Sequence, residues 1–173
     1  MDRKEKEGGR EEDHGFKAAV ITVSDRSFRG EREDKSGPVM CSILSEKGYE
    51  VTETLLLPDD EDKICEALIR LCDEAEPDVI FTTGGTGFSK RDRTPEATLR
   101  AAERNAPGIA EALRAESAKY TPNAMLSRGV SVIRKKTIII NLPGSPKAVR
   151  EGLDLLLPAL SHGILILRGE ADG

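Results

Sequence analysis

The sequence predicts an α/β protein, a three-layer α/β/α arrangement with a mainly parallel sheet. Two observations carry this expectation. Short apolar, β-branched runs such as AAVITV (18–23), DVIFTT (78–83) and TIIINL (137–142) alternate with longer stretches of helical spacing. Strands covered on both faces by crossover helices read in this continuous way. Aromatic residues make up only 3% of the 173 residues, so the core is built from Ala, Val, Ile and Leu, and the length suits one domain with a single core.

The elements follow in order. Residues 1–15 are dense in charge and glycine with almost nothing to bury, so they read as a mobile charged tail ahead of a domain spanning 16–170. AAVITV is a buried first strand that ends in the loop SDRSFRGEREDKSG. Residues 38–47 start with Pro38 and stop at Gly48, the signals of a crossover helix. YEVTETLLL (49–57) reads as a second strand. In the following segment Ile64, Leu68, Leu71 and Ala75 fall at helical spacing behind an acidic first turn, which suits the helix dipole. DVIFTT is a third strand running directly into Gly84-Gly85-Thr86-Gly87. Thr94 is placed as an N-cap with Pro95 at the first helical position, and two helices lie between 94 and 120, broken at Pro107-Gly108. GVSVIR and TIIINL flank Lys135-Lys136 and suggest a hairpin, although the turn lacks glycine or asparagine. From Pro146 the chain is helical to about Leu157, where Pro158 either opens a last helix or kinks the same one.

Composition narrows the function classes. The net charge of −5 argues against an overall grip on nucleic acid or an anionic membrane surface. No apolar run reaches the roughly 18 residues of a membrane span, and the first residues lack a signal-peptide core, so a cytoplasmic location is expected. Cys41, Cys65 and Cys72 are odd in number and without CxxC spacing, and the histidines are His14 and His162 alone. A zinc site or disulfide framework is not indicated. Cys65 and Cys72, seven apart on one helical face, pack as small hydrophobes.

The chemistry collects at strand ends. Ser24-Asp25-Arg26, Pro58-Asp59-Asp60, Gly84-Gly85-Thr86-Gly87 and Pro143-Gly144-Ser145-Pro146 each follow an expected strand. In a parallel sheet they share one edge, where ligands of open α/β sheets bind. The glycines after Thr83 let the backbone turn sharply, aim N–H groups at one place and leave room for a bulky anion. The run is neither a Walker A motif nor a GxGxxG fingerprint. Lys90, Arg91 and Arg93 beside it suit a phosphate, while Asp92 makes sense if a divalent ion such as Mg²⁺ joins carboxylate to phosphate. Plainer readings stand beside these: Asp59 or Asp60 as helix caps, Asp92 as a partner of Arg91 or Arg93, Ser24-Asp25-Arg26 as a locally closed turn, and Lys147 as an exposed helix residue. Ser145 has no histidine base beside it in the sequence, which sets serine hydrolase chemistry aside.

The runs ITVSDRSFRGEREDKSGP, PDD, TTGGTGFSKRDRTPEAT, LSRGVSVIRKKTIIINLPGSPKAV and LLPAL occur in one order over about residues 17–168. In this order they resemble the molybdopterin adenylyltransferase family, MogA/MoaB-like proteins of molybdenum or tungsten cofactor biosynthesis. The resemblance implies a molybdopterin-binding-like three-layer fold, ATP and molybdopterin as substrates, Mg²⁺ dependence and a homotrimer or homohexamer, with other cofactor-biosynthesis enzymes as possible partners. Carried over residue by residue, it makes Asp59 and Asp92 the catalytic acids and Mg²⁺ ligands, leaving Asp60 as the cap. Thr83, Gly84, Gly85, Thr86 and Gly87 become the phosphate-binding loop. Ser24, Asp25, Arg26, Pro143, Gly144, Ser145 and Pro146 become the lining of the same pocket. The alternatives it leaves open are a non-catalytic molybdopterin-binding protein and a nucleotide hydrolase on the same fold.

Overall fold

Alternation along the strands decides the layers. In the computed structural model, which describes residues 15–173, β1 (Lys17–Val23) sends Ala18 and Val20 to one face of a sheet and Ala19, Ile21 and Val23 to the other. The expected tail at 1–15 lies, apart from Gly15, outside the described residues. Six strands form the sheet in the order β2-β1-β3-β6-β5-β4, with β2 at Glu50–Leu57, β3 at Val79–Thr83, β4 at Arg104–Asn105, β5 at Ser131–Arg134 and β6 at Thr137–Leu142. β2, β1, β3 and β6 run parallel, and β5 and β4 are antiparallel additions at one edge.

Helices cover both faces. α2 (Ser36–Glu46), α5 (Pro107–Ala118) and α6 (Pro146–Arg168) place Met40, Leu44, Leu113, Val149, Leu153 and Leu160 against Val20, Phe81, Ile138 and Ile140. α3 (Glu61–Arg70), its π-helical continuation Leu71–Ala75, and α4 (Thr94–Ala101) place Ile64, Leu68, Cys72 and Ala97 against Ile21, Ile80 and Ile139. The three-layer α/β/α expectation holds, as does the packing of Cys65 and Cys72 as small hydrophobes. Burial pushes the Cys72 thiol up to about 11, which keeps it protonated and inert at neutral pH.

Several boundaries differ from the sequence expectation for physical reasons. The first crossover helix begins at Ser36 rather than Pro38, because Asp34 Oδ1 accepts the Gly37 N–H at 3.0 Å and closes the turn earlier. Thr94 is not the N-cap: Arg93 occupies that position without a side-chain capping bond, and the Thr94 hydroxyl instead donates to the Gly84 carbonyl at 3.0 Å. The Lys135-Lys136 hairpin is present, with Lys135 in the left-handed region at φ 51° that glycine or asparagine usually fills. Pro158 opens no new helix, since α6 continues through it for 23 residues. The one-turn helix α1 (Asp25–Phe28) lies within the expected loop, and the two-residue β4 lies within the stretch expected to be helical; both are too short to show a period.

Polar clamps tie the layers at the end of the sheet opposite the carboxyl ends of the parallel strands. Asp78, just before β3, accepts from the Lys17 N–H at 2.7 Å and from Arg168 at 2.8 and 2.7 Å, so the last turn of α6 is fastened to the start of β1. Arg134 of β5 holds Asp73 at 2.9 and 2.8 Å, with Lys135 at 3.3 Å.

The Arg134 hydrogen bonds, joined by Lys135, hold the Asp73 carboxyl at about 2. A carboxylate depressed in the folded state stabilises it above the unfolded value of about 4 and loses that contribution as pH falls through the folded value. Asp73→Asn is therefore expected to lower the melting temperature at pH 7. The gap to the unaltered protein should narrow as pH falls from about 4 toward about 2. Melting curves across that window check it, and a gap that stayed constant with pH would contradict it.

Candidate functional site

The parallel register brings four strand ends level. Val23 lies opposite Leu57, Thr22 opposite Thr83, and Thr83 opposite Leu142. Beyond them the Ser24 N–H donates to the Leu57 carbonyl at 2.9 Å and the Gly84 N–H to the Leu142 carbonyl at 3.2 Å. All four polar segments therefore share one edge, as the sequence predicted. They border a cleft of about 250 Å³, lined among the expected residues by Ser24, Asp59, Thr83, Gly84, Gly85, Asp92, Gly144 and Pro146.

The other expected residues do not line this cleft. Asp25 stands behind Asp59. The Thr86 carbonyl accepts from the Arg128 N–H, and Gly87 backs onto Asp92, whose Oδ2 would be 2.9 Å from a Cβ there. The Pro143 carbonyl accepts from the Thr83 hydroxyl at 2.7 Å, and Ser145 caps α6 by accepting from the Ala148 N–H at 3.1 Å. Arg26 is exposed outside the lining. Asp60 caps α3 as expected, accepting from the Lys63 N–H at 3.0 Å, and Lys147 is exposed.

The glycines also allow close packing of the turn. Gly84 (φ 93°) would put a Cβ 2.3 Å from the Val23 carbonyl oxygen, and Gly85 (φ 67°) one 2.3 Å from Thr94 Oγ1 and 3.1 Å from Asp59 Oδ1. Their missing side chains let the loop press against β1 and α4; the room for a ligand lies beside them. Positive φ requires glycine at both positions independently.

Asp25 and Asp59 exchange bonds: the Asp25 N–H donates to Asp59 Oδ2 at 2.9 Å, and the Asp59 N–H to Asp25 Oδ1 at 3.0 Å. Arg91 grips Asp25 through Nε and Nη2, both at 3.0 Å. This hydrogen bonding holds the Asp25 carboxyl below its ordinary value. Burial pushes Asp59 above its own, with the neighbouring Asp25 and Asp92 charges adding to the effect. Two adjacent carboxyls are thus driven apart, one neutralised by arginine and one desolvated at the cleft.

The cations expected to face a phosphate are largely committed elsewhere. Arg91 belongs to Asp25, Arg93 is held by Glu61 at 2.8 and 2.6 Å, and Lys90 is exposed outside the lining. Arg32 and Lys35 line the cleft instead, with Glu33, Asp34, Ser36, Ser27 and Thr22. Sequence reasoning missed these residues although a signal was present, because the charge-dense stretch 31–35 belongs to the loop that leaves the carboxyl end of the first strand.

A sequence profile for the family described as "Probable molybdopterin binding domain" matches residues 19–162. Among curated relatives, the molybdopterin adenylyltransferase of Helicobacter pylori is 42% identical over 152 residues, covering 87% of this chain and 86% of that protein. That of Escherichia coli K12 is 41% identical over 156 residues, covering 86% and 80%. Among solved structures, the molybdopterin biosynthesis enzyme MoaB of Thermus thermophilus superposes with a TM-score of 0.84 at 44% identity, over 89% of this chain and 97% of that one. The tungsten cofactor synthesizing protein MoaB of Pyrococcus furiosus gives 0.80 at 35%, over 92% and 99%.

Gly85→Ala is expected to destabilise the fold by roughly 2–4 kcal/mol, from the left-handed backbone and the displaced Thr94 hydroxyl together. With Thr94→Ala already in place, the same substitution should cost less by about 1 kcal/mol. Denaturant unfolding of the four proteins of this cycle measures the coupling, and strict additivity would show that Thr94 is not what the added methyl meets.

Proposed function

The chain belongs to the molybdopterin-binding-domain family that this profile describes, and from that premise we propose that it is a molybdopterin adenylyltransferase of molybdenum or tungsten cofactor biosynthesis. The observation that carries this reading is the convergence of Asp59, Asp92 and the glycine turn on one cleft, in a chain more than 40% identical to relatives bearing that name. In the proposed reaction a terminal phosphate oxygen of molybdopterin attacks the α-phosphorus of ATP. The new P–O bond forms as the bond to the β-phosphate oxygen breaks, and adenylyl-molybdopterin and pyrophosphate leave. Such a displacement needs positioning and charge neutralisation more than a protein nucleophile.

Asp59 and Asp92 fit a role as Mg²⁺ ligands. Asp59 is a partly buried carboxyl raised by its surroundings and facing the same cleft as Asp92, a charge that a hard cation would relieve. Among the described residues no group of three or more metal-ligating side chains stands ready. This suits Mg²⁺, which is commonly held by one or two carboxylates, with waters and substrate phosphates completing its shell. The ion would neutralise triphosphate charge as pyrophosphate departs. Arg32 and Lys35, in the same lining, offset charge, and Thr83, Gly84 and Gly85 form the wall along which phosphates lie. We place the folded domain at 16–170 and the protein in the cytoplasm. Among the described residues no helix is long and apolar enough to cross a membrane. A homotrimer or homohexamer would cover exposed apolar side chains such as Tyr120 and Met125.

Incubation with molybdopterin, ATP and Mg²⁺, with products identified by mass, tests the reaction. Adenylylated pterin is expected. Pterin binding without turnover, or nucleotide hydrolysis that ignores the pterin, would overturn it. Asp59→Asn and Asp92→Asn should each lower kcat by a factor on the order of 10² with molybdopterin affinity largely kept. Asp60→Asn should change it little, because asparagine caps as well as aspartate. Near-normal turnover in both folded cleft variants would remove the two acids from the mechanism. Light scattering is expected to give a trimer or hexamer, and a stable monomer at micromolar concentration would rule out the assembly.

A further inference from the structure

Asp92 rides on a loop that lacks an apolar anchor. Between Gly87 and Arg93 the chain crosses from β3 to α4 with Phe88 70% exposed and residues 89–91 exposed as well. Within the loop the Asp92 N–H donates to the Ser89 carbonyl at 2.9 Å, and the Ser89 N–H to Asp92 Oδ2 at 3.1 Å. These bonds fold the loop on itself, and the exposed Arg91 side chain ties its middle to Asp25, but neither fixes the backbone at its two ends.

A single side chain from elsewhere in the sequence joins both ends of the loop. Arg128 donates from Nε to the Gly87 carbonyl at 2.8 Å and from Nη2 to the Asp92 carbonyl at 2.7 Å. Its Nη1 binds the Glu96 carboxylate in the first turn of α4. Its backbone N–H reaches the Thr86 carbonyl at 2.8 Å. The segment bearing Arg128 is itself held: Arg114 donates to the Gly129 carbonyl at 2.7 Å, and the Val130 N–H donates to Oδ1 of the buried Asn141 in β6 at 3.1 Å. A chain of bonds therefore runs from the central sheet through Asn141 and Arg128 to the backbone of Asp92.

We infer that Arg128 is a positioning residue: its guanidinium sets the span from Gly87 to Asp92 and so holds the Asp92 carboxylate against the cleft. The planar fork is what the task needs, because three acceptors lie in different directions and a lysine ammonium is a compact donor that cannot span them. Arg91 and Arg93 cannot substitute, since Asp25 and Glu61 already engage them. The catalytic consequence rests on the adenylyl-transfer reading, whereas the loop-holding role does not.

The two are separated by measuring Arg128→Lys and Glu96→Gln in the full chain by amide hydrogen exchange and by kinetics. In Arg128→Lys the Ser89 and Asp92 amides should exchange at least about tenfold faster while Ile80 to Thr82 in β3 keep their rates. Unchanged exchange at Ser89 and Asp92 would overturn the inference whatever the enzyme does, and it can be read even if wild-type protein forms no adenylylated pterin. With activity present, kcat of Arg128→Lys should fall on the order of 10²-fold. The KM for ATP should move by no more than about threefold, and added guanidinium should restore part of the rate in Arg128→Ala. Glu96→Gln leaves both carbonyl bonds in place and should retain kcat within about threefold. An equal loss there would assign the effect to the ion pair and refute the positioning role. Should the lysine variant fail to fold, Arg128→Gln, whose amide still serves one carbonyl, is read in the same way.

Discussion

The Gly84 backbone lies against β1 so closely that a methyl group there would meet the Val23 carbonyl oxygen at 2.3 Å. Backbone on backbone cannot yield as a flexible side chain can, so this contact sets how β3 leaves the sheet. With φ at 93° and then 67° the chain turns back immediately. The Gly85 carbonyl can then accept from the Thr94 N–H at 3.1 Å and the Gly84 carbonyl from the Thr94 hydroxyl at 3.0 Å. α4 is thereby pinned to the strand it follows, and Asp92 is delivered beside Asp59. A wider turn would leave the same residues in the chain without bringing them together.

Charge is distributed over this frame in two classes. Arg91 with Asp25, Arg93 with Glu61 and Arg128 with Glu96 pair most of the strong charges around the glycine turn. These exposed or half-exposed pairs contribute modestly to stability, but they orient backbone and loops. Asp59 is left outside the arrangement, partly buried and raised by its neighbours. The contrast between satisfied acids at the rim and a desolvated one facing the cleft is of the kind that clusters at functional sites, and it suits the Mg²⁺ proposed above.

Legibility in the sequence followed the range of the interaction. β1, β3 and β6 could be read because burial on both faces leaves a continuous apolar run. The shared edge followed from parallel topology, and the Asp60 cap from a bond only three residues long. Bonds between distant residues left no such trace. Arg91 finds Asp25 across 66 positions, and Arg128 finds Gly87 and Asp92 across 41 and 36, so cations beside the glycines read as free when they were engaged. Thr94 showed the limit of a local rule: a threonine before proline fits a cap that accepts from the helix, but its hydroxyl instead donates to the Gly84 carbonyl in the glycine turn. The lining by Arg32 and Lys35 was hidden differently, inside a stretch whose charge density resembled an ordinary solvated loop.

The fastening of Arg168 to Asp78 and to the Gly15 carbonyl brings residues 15 and 168 together at the end of the sheet farthest from the cleft. Ends that meet on a surface can be rejoined without disturbing the core. Joining residue 168 to residue 15 by a short bridge, with a new opening at the exposed Lys135-Lys136 turn, would yield a circular permutant of residues 15–168 with the same cleft.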